Sequence, residues 1–318
     1  MSKGSTGSIT SLDAMEQILL EKGSSQDTSP APVFLIASPR TGSTYAYQLL
    51  VGTFGLPFIS NFTNEHFPHH PILGLSIQRS WCQNQLIDTS SAFGKTVGLF
   101  QPSEASAVMT NWFGGGHPSE ITSRHVIHGK EEHMIQTLAA AEVLFSRPLL
   151  IKNAWNCFRL DYLHQTFPNS KFIWLRRDIA AAAKSDLQAR YITKKLPTAW
   201  NSATPRNYPH LKTRPYWEQV VENQYEFARA IQDHISMAGK QHITEVWYED
   251  LLEDEEQTLS QLASAAPELG ACLTESQLRR HEPTKSISTS LSPEDDKAIE
   301  QYIAATSTRL TNCRYPTK

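Results

Sequence analysis

The sequence predicts an α/β fold, a three-layer sandwich whose central parallel sheet of about five strands is flanked by helices. Two observations carry this. A short continuous apolar run at Val33 to Ala37 has the length of a strand buried on both faces, and further strands are expected at Leu149 to Ile151, Lys171 to Leu175 and Ile243 to Trp247. Segments of helical period separate them, and strands alternating with helices pack as a parallel sheet under crossover helices. The chain has 318 residues, 40% hydrophobic and 19% charged, enough for one large α/β domain or two small ones.

Taken in order, residues 1–30 read as a flexible lead-in that holds a short helix, Leu12 to Leu20, and ends at Gly23-Ser24-Ser25. Residues 31–318 then form a single domain. Val33 to Ala37 is the first strand. The helix after it has Tyr45, Leu49 and Leu50 on one face, with Gly52 and Gly55 as stops. Residues 56–130 show no clear period; they are rich in proline, histidine and aromatics and contain Gly114-Gly115-Gly116. Such a stretch inside a domain carries function or mobility.

A helix is expected at about 131–146, a strand at Leu149 to Ile151, a helix at about 158–166, the strand Lys171 to Leu175, and an alanine-rich helix from Ile179. Residues 191–215 return to loop, with Lys194, Lys195, Arg206, Lys212 and Arg214 among prolines. An amphipathic helix runs from about Pro215 to Met237, followed by the strand at Ile243 to Trp247. Further helices fall at about 254–265, 274–280 and 293–305, with a polar loop at 281–294. No internal repeat is present.

The formal net charge is −3, so no global field draws the chain to nucleic acid or an anionic membrane. Any anion site must be a local concentration of positive charge. Cys82, Cys157, Cys272 and Cys313 form no CxxC pair, which suits reduced thiols better than disulfides or a structural zinc. The N-terminal MSKGSTGSIT lacks the apolar core of a signal peptide, and no stretch approaches the roughly 20 apolar residues that span a bilayer. The expectation is a soluble, cytoplasmic protein with no nucleic-acid partner, and a homodimer stays open.

The turn after the first strand carries the first site. A glycine-containing turn between a buried strand and a helix converges backbone N–H groups, and the helix N-terminus adds partial positive charge. Over Ala37 to Thr44 the Walker A pattern finds its second glycine at Gly42 and its hydroxyl at Thr44. Its first glycine is Ala37 and its lysine is Ser43. Positive charge comes instead from Arg40, with hydroxyls from Ser38, Thr41, Ser43 and Thr44. A smaller anionic tail than a triphosphate fits this, without a call for Mg²⁺; an ordinary strand–turn–helix connection is the plainer alternative.

The loop Pro39-Arg40-Thr41-Gly42-Ser43-Thr44 resembles the 5′-phosphosulfate loop of sulfotransferases that use 3′-phosphoadenosine 5′-phosphosulfate (PAPS). That loop reads Pro-Lys/Arg-Ser/Thr-Gly-Ser/Thr-Ser/Thr. The family holds the donor's 3′-phosphate with an arginine at a strand end and a serine eight positions later, and Arg177 and Ser185 stand in that relation. Arginine suits the task because its planar fork donates two parallel hydrogen bonds. The segments Leu149-Leu150-Ile151-Lys152, Phe167 to Ile173 and Trp247-Tyr248-Glu249-Asp250-Leu251-Leu252 also resemble the family. The matches cover about 31–55, 148–190 and 215–265.

This resemblance implies a P-loop-like fold, PAPS as co-substrate with PAP, its desulfated form, as product, and a small-molecule acceptor. It implies no metal. Arg40 and Lys152 would neutralise the leaving phosphate. The positive cluster Arg279-Arg280 with Lys285 stands where the family often closes a loop over the 3′-phosphate. A P-loop nucleotide kinase and a catalytically silent nucleotide-binding protein are the competing readings.

The family's phenol and steroid enzymes place a histidine base two residues after the lysine; here that position is Ala154. Tyrosylprotein and trehalose sulfotransferases use a glutamate in the loop after the first helix, where this chain has Asn64-Glu65-His66-Phe67. Glu65 is the first choice as base and His66 the second. Partial burial among Phe62, Phe67 and tryptophans would raise a glutamate into range. His66, His69 and His70 also admit a metal reading, although the prolines between them fit no helical ligand spacing. His117, His125, His128 and His133 are outside candidates. Phe93, Phe100, Trp112 and Phe113 either line an acceptor pocket within an acceptor-site insertion at about 56–147 or pack in the core. The basic segment 191–215 is either a lid over the donor or a solvated loop.

Overall fold

The apolar runs read from the sequence pair side by side in the computed structural model, which describes residues 11–24, 29–82, 86–92, 94–115, 127, 129–201, 203–271, 277–280 and 291–306. Helix α1 (Ser11–Ser24) precedes β1 (Val33–Ala37) and α2 (Ser43–Phe54). Then come α3 (Asn61–His66), α4 (Pro71–Trp81), the two-residue strands β2 (Ile87–Asp88), β3 (Ser91–Ala92) and β4 (Lys95–Thr96), and α5 (Ser106–Phe113). Helix α6 (Lys130–Phe145) leads to β5 (Leu150–Lys152), α7 (Leu160–Thr166), β6 (Lys171–Arg176) and α8 (Ile179–Lys194). The chain continues through α9 (Tyr208–Leu211), α10 (Tyr216–Ala238), β7 (Ile243–Trp247), α11 (Tyr248–Glu253), α12 (Glu255–Ala265), β8 (Leu278–Arg279) and α13 (Pro293–Thr306).

The central sheet runs β5-β1-β6-β7, with every pairing parallel. Four strands form it among the described residues, where about five were expected. Side chains alternate across it. Phe34 and Ile36 share one face with Ile151, Phe172 and Trp174, under α5, α6, α7 and α10. Val33, Leu35 and Ala37 share the other with Leu150, Ile173 and Leu175, under α2, α11 and α12. Both faces are covered, which is why β1 and the middles of β5 and β6 read as apolar runs, while the edge strand β7 does not. A third cluster joins α8, α10 and α13 through Leu187, Val220, Val221 and Ile299.

Helix ends follow local chemistry. Helix α2 starts after left-handed Gly42 and stops at left-handed Gly55, whose N–H bonds Val51 O. It does not stop at Gly52. A Cβ there would stand 2.2 Å from Leu278 Cδ2, so this glycine lets β8 approach. The Asp178 carboxylate caps α8 by accepting from Ala181 N at 2.8 Å, and α8 runs on to Lys194, into the stretch expected to be loop.

Three differences from the sequence reading have physical reasons. Within the expected lead-in, α1 packs on α6, and buried Glu16 accepts from Ile72 N and Leu73 N, capping the first turn of α4. Residues 56–115 hold three helices; short helices with mixed contacts leave little period to read. At 278–279, where a helix was expected, β8 pairs in parallel with β2. Among the described residues, no helix is long and apolar enough to cross a membrane. Cys82 and Cys157 are free thiols; Cys272 and Cys313 lie outside the described residues.

Candidate active site

The sheet order brings three carboxyl ends together. The chain leaves β1 for β5 on one side and returns to β6 on the other, and in such sheets the crevice at the strands' carboxyl ends takes ligands. Here β1 delivers the loop 38–42, β5 ends at Lys152, and β6 leads into Arg177.

Four ties hold the loop's carbonyl side. Thr41 Oγ1 donates to Ser38 O at 2.8 Å, Gln224 Nε2 on α10 to Pro39 O at 3.0 Å, and Arg177 Nη1 to Arg40 O at 2.8 Å. Ala46 N then bonds Gly42 O at 3.0 Å, the first bond of α2. Arg40 itself is left-handed at φ 65°, a conformation that costs a non-glycine residue about 1–2 kcal/mol. No side chain caps the first turn of α2. Its amino end is thus left for an anion.

Arg40 joins the two predicted half-sites: its backbone lies in the loop, and its Nη2 donates to Ser185 Oγ on α8 at 3.4 Å. The Arg177 guanidinium lies over the Tyr248 ring, 4.8 Å from its centre. The Nε atoms of Arg40 and Arg177 are both buried without a hydrogen-bond partner. Two cationic donors left incomplete in one crevice suit an anionic ligand. Burial pulls the Arg40 guanidinium below its ordinary value; nearby Asp186 opposes that shift and Arg177 adds to it.

Lys152 is buried at the end of β5. Its Nζ donates to Thr44 Oγ1 at 3.1 Å and forms a short ion pair with Glu104 Oε1. Thr44 Oγ1 donates in turn to Gly94 O at 3.2 Å. Asn153 Nδ2 holds the Glu104 carbonyl at 3.0 Å, while the Glu104 side chain keeps 43% exposure. A half-open carboxylate therefore touches the lysine that touches the loop. The sequence reading missed Glu104. It sits in Pro102-Ser103-Glu104-Ala105 with no period or motif, and no signal in the sequence marks it.

Glu65 and His66 are exposed on α3, and the expected partial burial of Glu65 does not occur. Thr63 is fully buried toward Gln78, and two residues along a helix turn the side chain by roughly 200°, so Glu65 faces outward. His66 packs on Phe62, with ring centres 5.6 Å apart. It lines an open concavity of about 550 Å³ with Phe62, Phe67, Ile77 and Trp81. His69 bonds Asn111 and His70 bonds Asp13, so the three histidines have separate neighbours.

The remaining candidates divide clearly. Trp112 and Phe113 belong to the core; Trp112 Nε1 donates to His133 Nδ1 at 3.0 Å, and Phe113 lies under Arg159. Phe100 packs on Phe62. Arg280 is exposed and pairs with Glu255, which also accepts from Tyr45 OH. In the basic segment, Arg206 donates to Phe158 O and Arg214 pairs with Glu218. Phe93, His117, His125, His128 and Lys285 lie outside the described residues. Tyr248 and Glu249 act on the site indirectly. Tyr248 abuts Gly42 and Arg177, and Glu249 accepts from Asp178 N at 3.1 Å.

A family model described as "Sulfotransferase family" matches residues 32–266. No curated protein matches the sequence. Among solved structures, a sulfotransferase from Mycobacterium avium superposes with a TM-score of 0.51 at 13% identity, over 94% of this chain and 79% of that one. One from Mycobacterium tuberculosis H37Rv gives 0.47 at 12%, over 93% and 82%, and one from Alicyclobacillus acidocaldarius gives 0.47 at 12%, over 89% and 95%. The first of these likenesses shows the shared fold.

Proposed function

This chain belongs to the sulfotransferase family, and we propose that it moves a sulfuryl group from PAPS to a hydroxyl or amine of a small-molecule acceptor, releasing PAP. A natural product, a carbohydrate or a glycolipid is the acceptor in this reading. The observation that carries it is the joint at Arg40, Arg177 and Ser185, where two half-buried guanidinium groups keep buried, unpaired Nε atoms beside a serine hydroxyl. Those donors and the uncapped turn after Gly42 fit a ligand with anionic groups at both ends.

Pro39, Arg40, Thr41, Gly42, Ser43 and Thr44 hold the 5′ end of the donor, and Arg177 and Ser185 its 3′-phosphate. Arg280, paired with Glu255, is the candidate to close over that phosphate. The donor supplies an activated sulfuryl group, whose bond to the 5′-phosphate breaks as the acceptor's bond to sulfur forms. Lys152 and Arg40 neutralise charge at the leaving phosphate. Glu104 accepts the acceptor's proton, since it is the carboxylate held against Lys152, and it has an exposed edge for an acceptor to approach. Glu65 and His66, on the rim of the aromatic concavity, are the alternative bases. Residues 56–147 form the acceptor-side insertion of one domain spanning 31–318.

Calorimetric titration of the full chain with PAP tests the reading, alongside transfer of labelled sulfate from PAPS to a panel of phenols, sugars and amines. One PAP per chain is expected. Arg177→Ala should weaken it by about 10–100-fold, the scale of a lost charged hydrogen bond. An unchanged affinity would remove Arg177 from the donor site, and no binding by the intact chain would end the PAPS assignment.

A further inference from the structure

Far from the crevice, three histidines converge. His164 stands in the last turn of α7, His234 near the end of α10, and His242 just before β7. One ligand nitrogen from each lies within 4.8 Å of the others. We propose that His164, His234 and His242 form a transition-metal site, for zinc or a metal of like preference, with Asp161 as the outer partner of His234.

The geometry supports coordination. A tetrahedral metal with nitrogens at about 2.0–2.1 Å separates its ligand atoms by roughly 3.4 Å. Two of these nitrogens, His234 Nε2 and His242 Nε2, already face each other at 2.8 Å. Small ring shifts admit an ion, and His164 closes the third side, its ring 3.8 Å from that of His242 and 5.6 Å from that of His234. Asp161 Oδ1 stands 2.5 Å from His234 Nδ1. That contact places the His234 proton on Nδ1 and aims the Nε2 lone pair inward, as carboxylate–histidine–metal arrangements do.

The surroundings agree. His242 Nδ1 is buried without a hydrogen-bond partner, so no bond on that nitrogen holds the ring against a small shift. Phe172 forms the apolar wall, its ring 5.7 Å from His242. Asp161 is exposed and His164 half-exposed, which gives an ion a way in.

Position assigns the site a structural role. Phe172 N donates to His242 O at 2.9 Å where β6 and β7 begin, so the cluster lies at the amino ends of the strands, opposite Arg40 and Arg177. A metal there pins α7 and α10 to the start of β7, and solvent or an added anion takes the fourth position.

The test uses the full chain without a histidine tag, stripped with chelator and titrated with Zn²⁺ by calorimetry and with Co²⁺ by visible absorption. Expected are one equivalent of zinc, the visible bands of tetrahedral cobalt, and a Tm that rises with zinc while PAP affinity stays put. Asp161→Asn should weaken zinc by about 10–100-fold, and His234→Ala should abolish stoichiometric binding. His164→Gln, at the half-exposed ring, is the variant least prone to misfold; with its circular dichroism unchanged, it should also lose the cobalt bands. No stoichiometric binding by the intact chain, or binding unaltered in His164→Gln, would overturn the proposal.

Discussion

Replacing Gly42 by alanine should damage the donor loop for two separable reasons. The residue is left-handed at φ 80°, which costs an L-residue about 1–2 kcal/mol. A Cβ there would also lie 2.2 Å from Tyr248 Cε2 and 2.5 Å from Cδ2. The ring cannot simply retreat, because Arg177 lies over it and Tyr248 is anchored at the start of α11. Overpacking of this kind costs about 1–3 kcal/mol. Gly42→Ala should therefore lose about 2–5 kcal/mol in urea unfolding, read as a lower midpoint at constant m. Tyr248→Ala removes the obstacle, so in that background the same glycine change should cost only the backbone share, about 1–2 kcal/mol. The coupling between the two sites should be about 1–3 kcal/mol, the range found for residues in contact. An equal loss in both backgrounds would show that the ring does not constrain the loop. A loss under about 0.5 kcal/mol, the size of an ordinary surface change, would refute the strained geometry as well.

Glu104→Gln should lower turnover by about 10²–10⁴, the range for a general base, while PAP affinity stays within about twofold. Glu65→Gln, assayed beside it, should keep most of its rate; the reverse pattern would move the base to α3. Arg280→Ala should cost less than about 1 kcal/mol of stability, because its pair with Glu255 is exposed. Its PAP affinity should fall less than that of Arg177→Ala, and an equal fall would place Arg280 on the donor itself.

Much of this was legible beforehand. The strands, the turn at 38–44, and the placing of Arg177 and Ser185 all depend on local patterns: runs of apolar residues, a glycine at a tight turn, and a fixed separation from a strand end to the next helix. Residues 56–115 were not legible, because α3, α4 and α5 take their burial from different neighbours and show no common face. The carboxylate beside Lys152 was hidden for a related reason. Glu65 follows the family's order along the chain, but α3 turns it outward, whereas Glu104 reaches Lys152 through a turn that leaves no mark in the residue pattern.

The sequence by itself determined which residues could hold an anion and which segments must be buried strands, since both are properties of neighbours along the chain. Tertiary structure decided what those residues do together. Sheet order sets Lys152, Arg40 and Arg177 around one crevice. It also places Tyr248 against Gly42, more than 200 residues away. The same holds for His164, His234 and His242, which gather three elements into one cluster. Loop-closing contacts of this kind depend on strand order and helix packing, which no spacing between residues encodes.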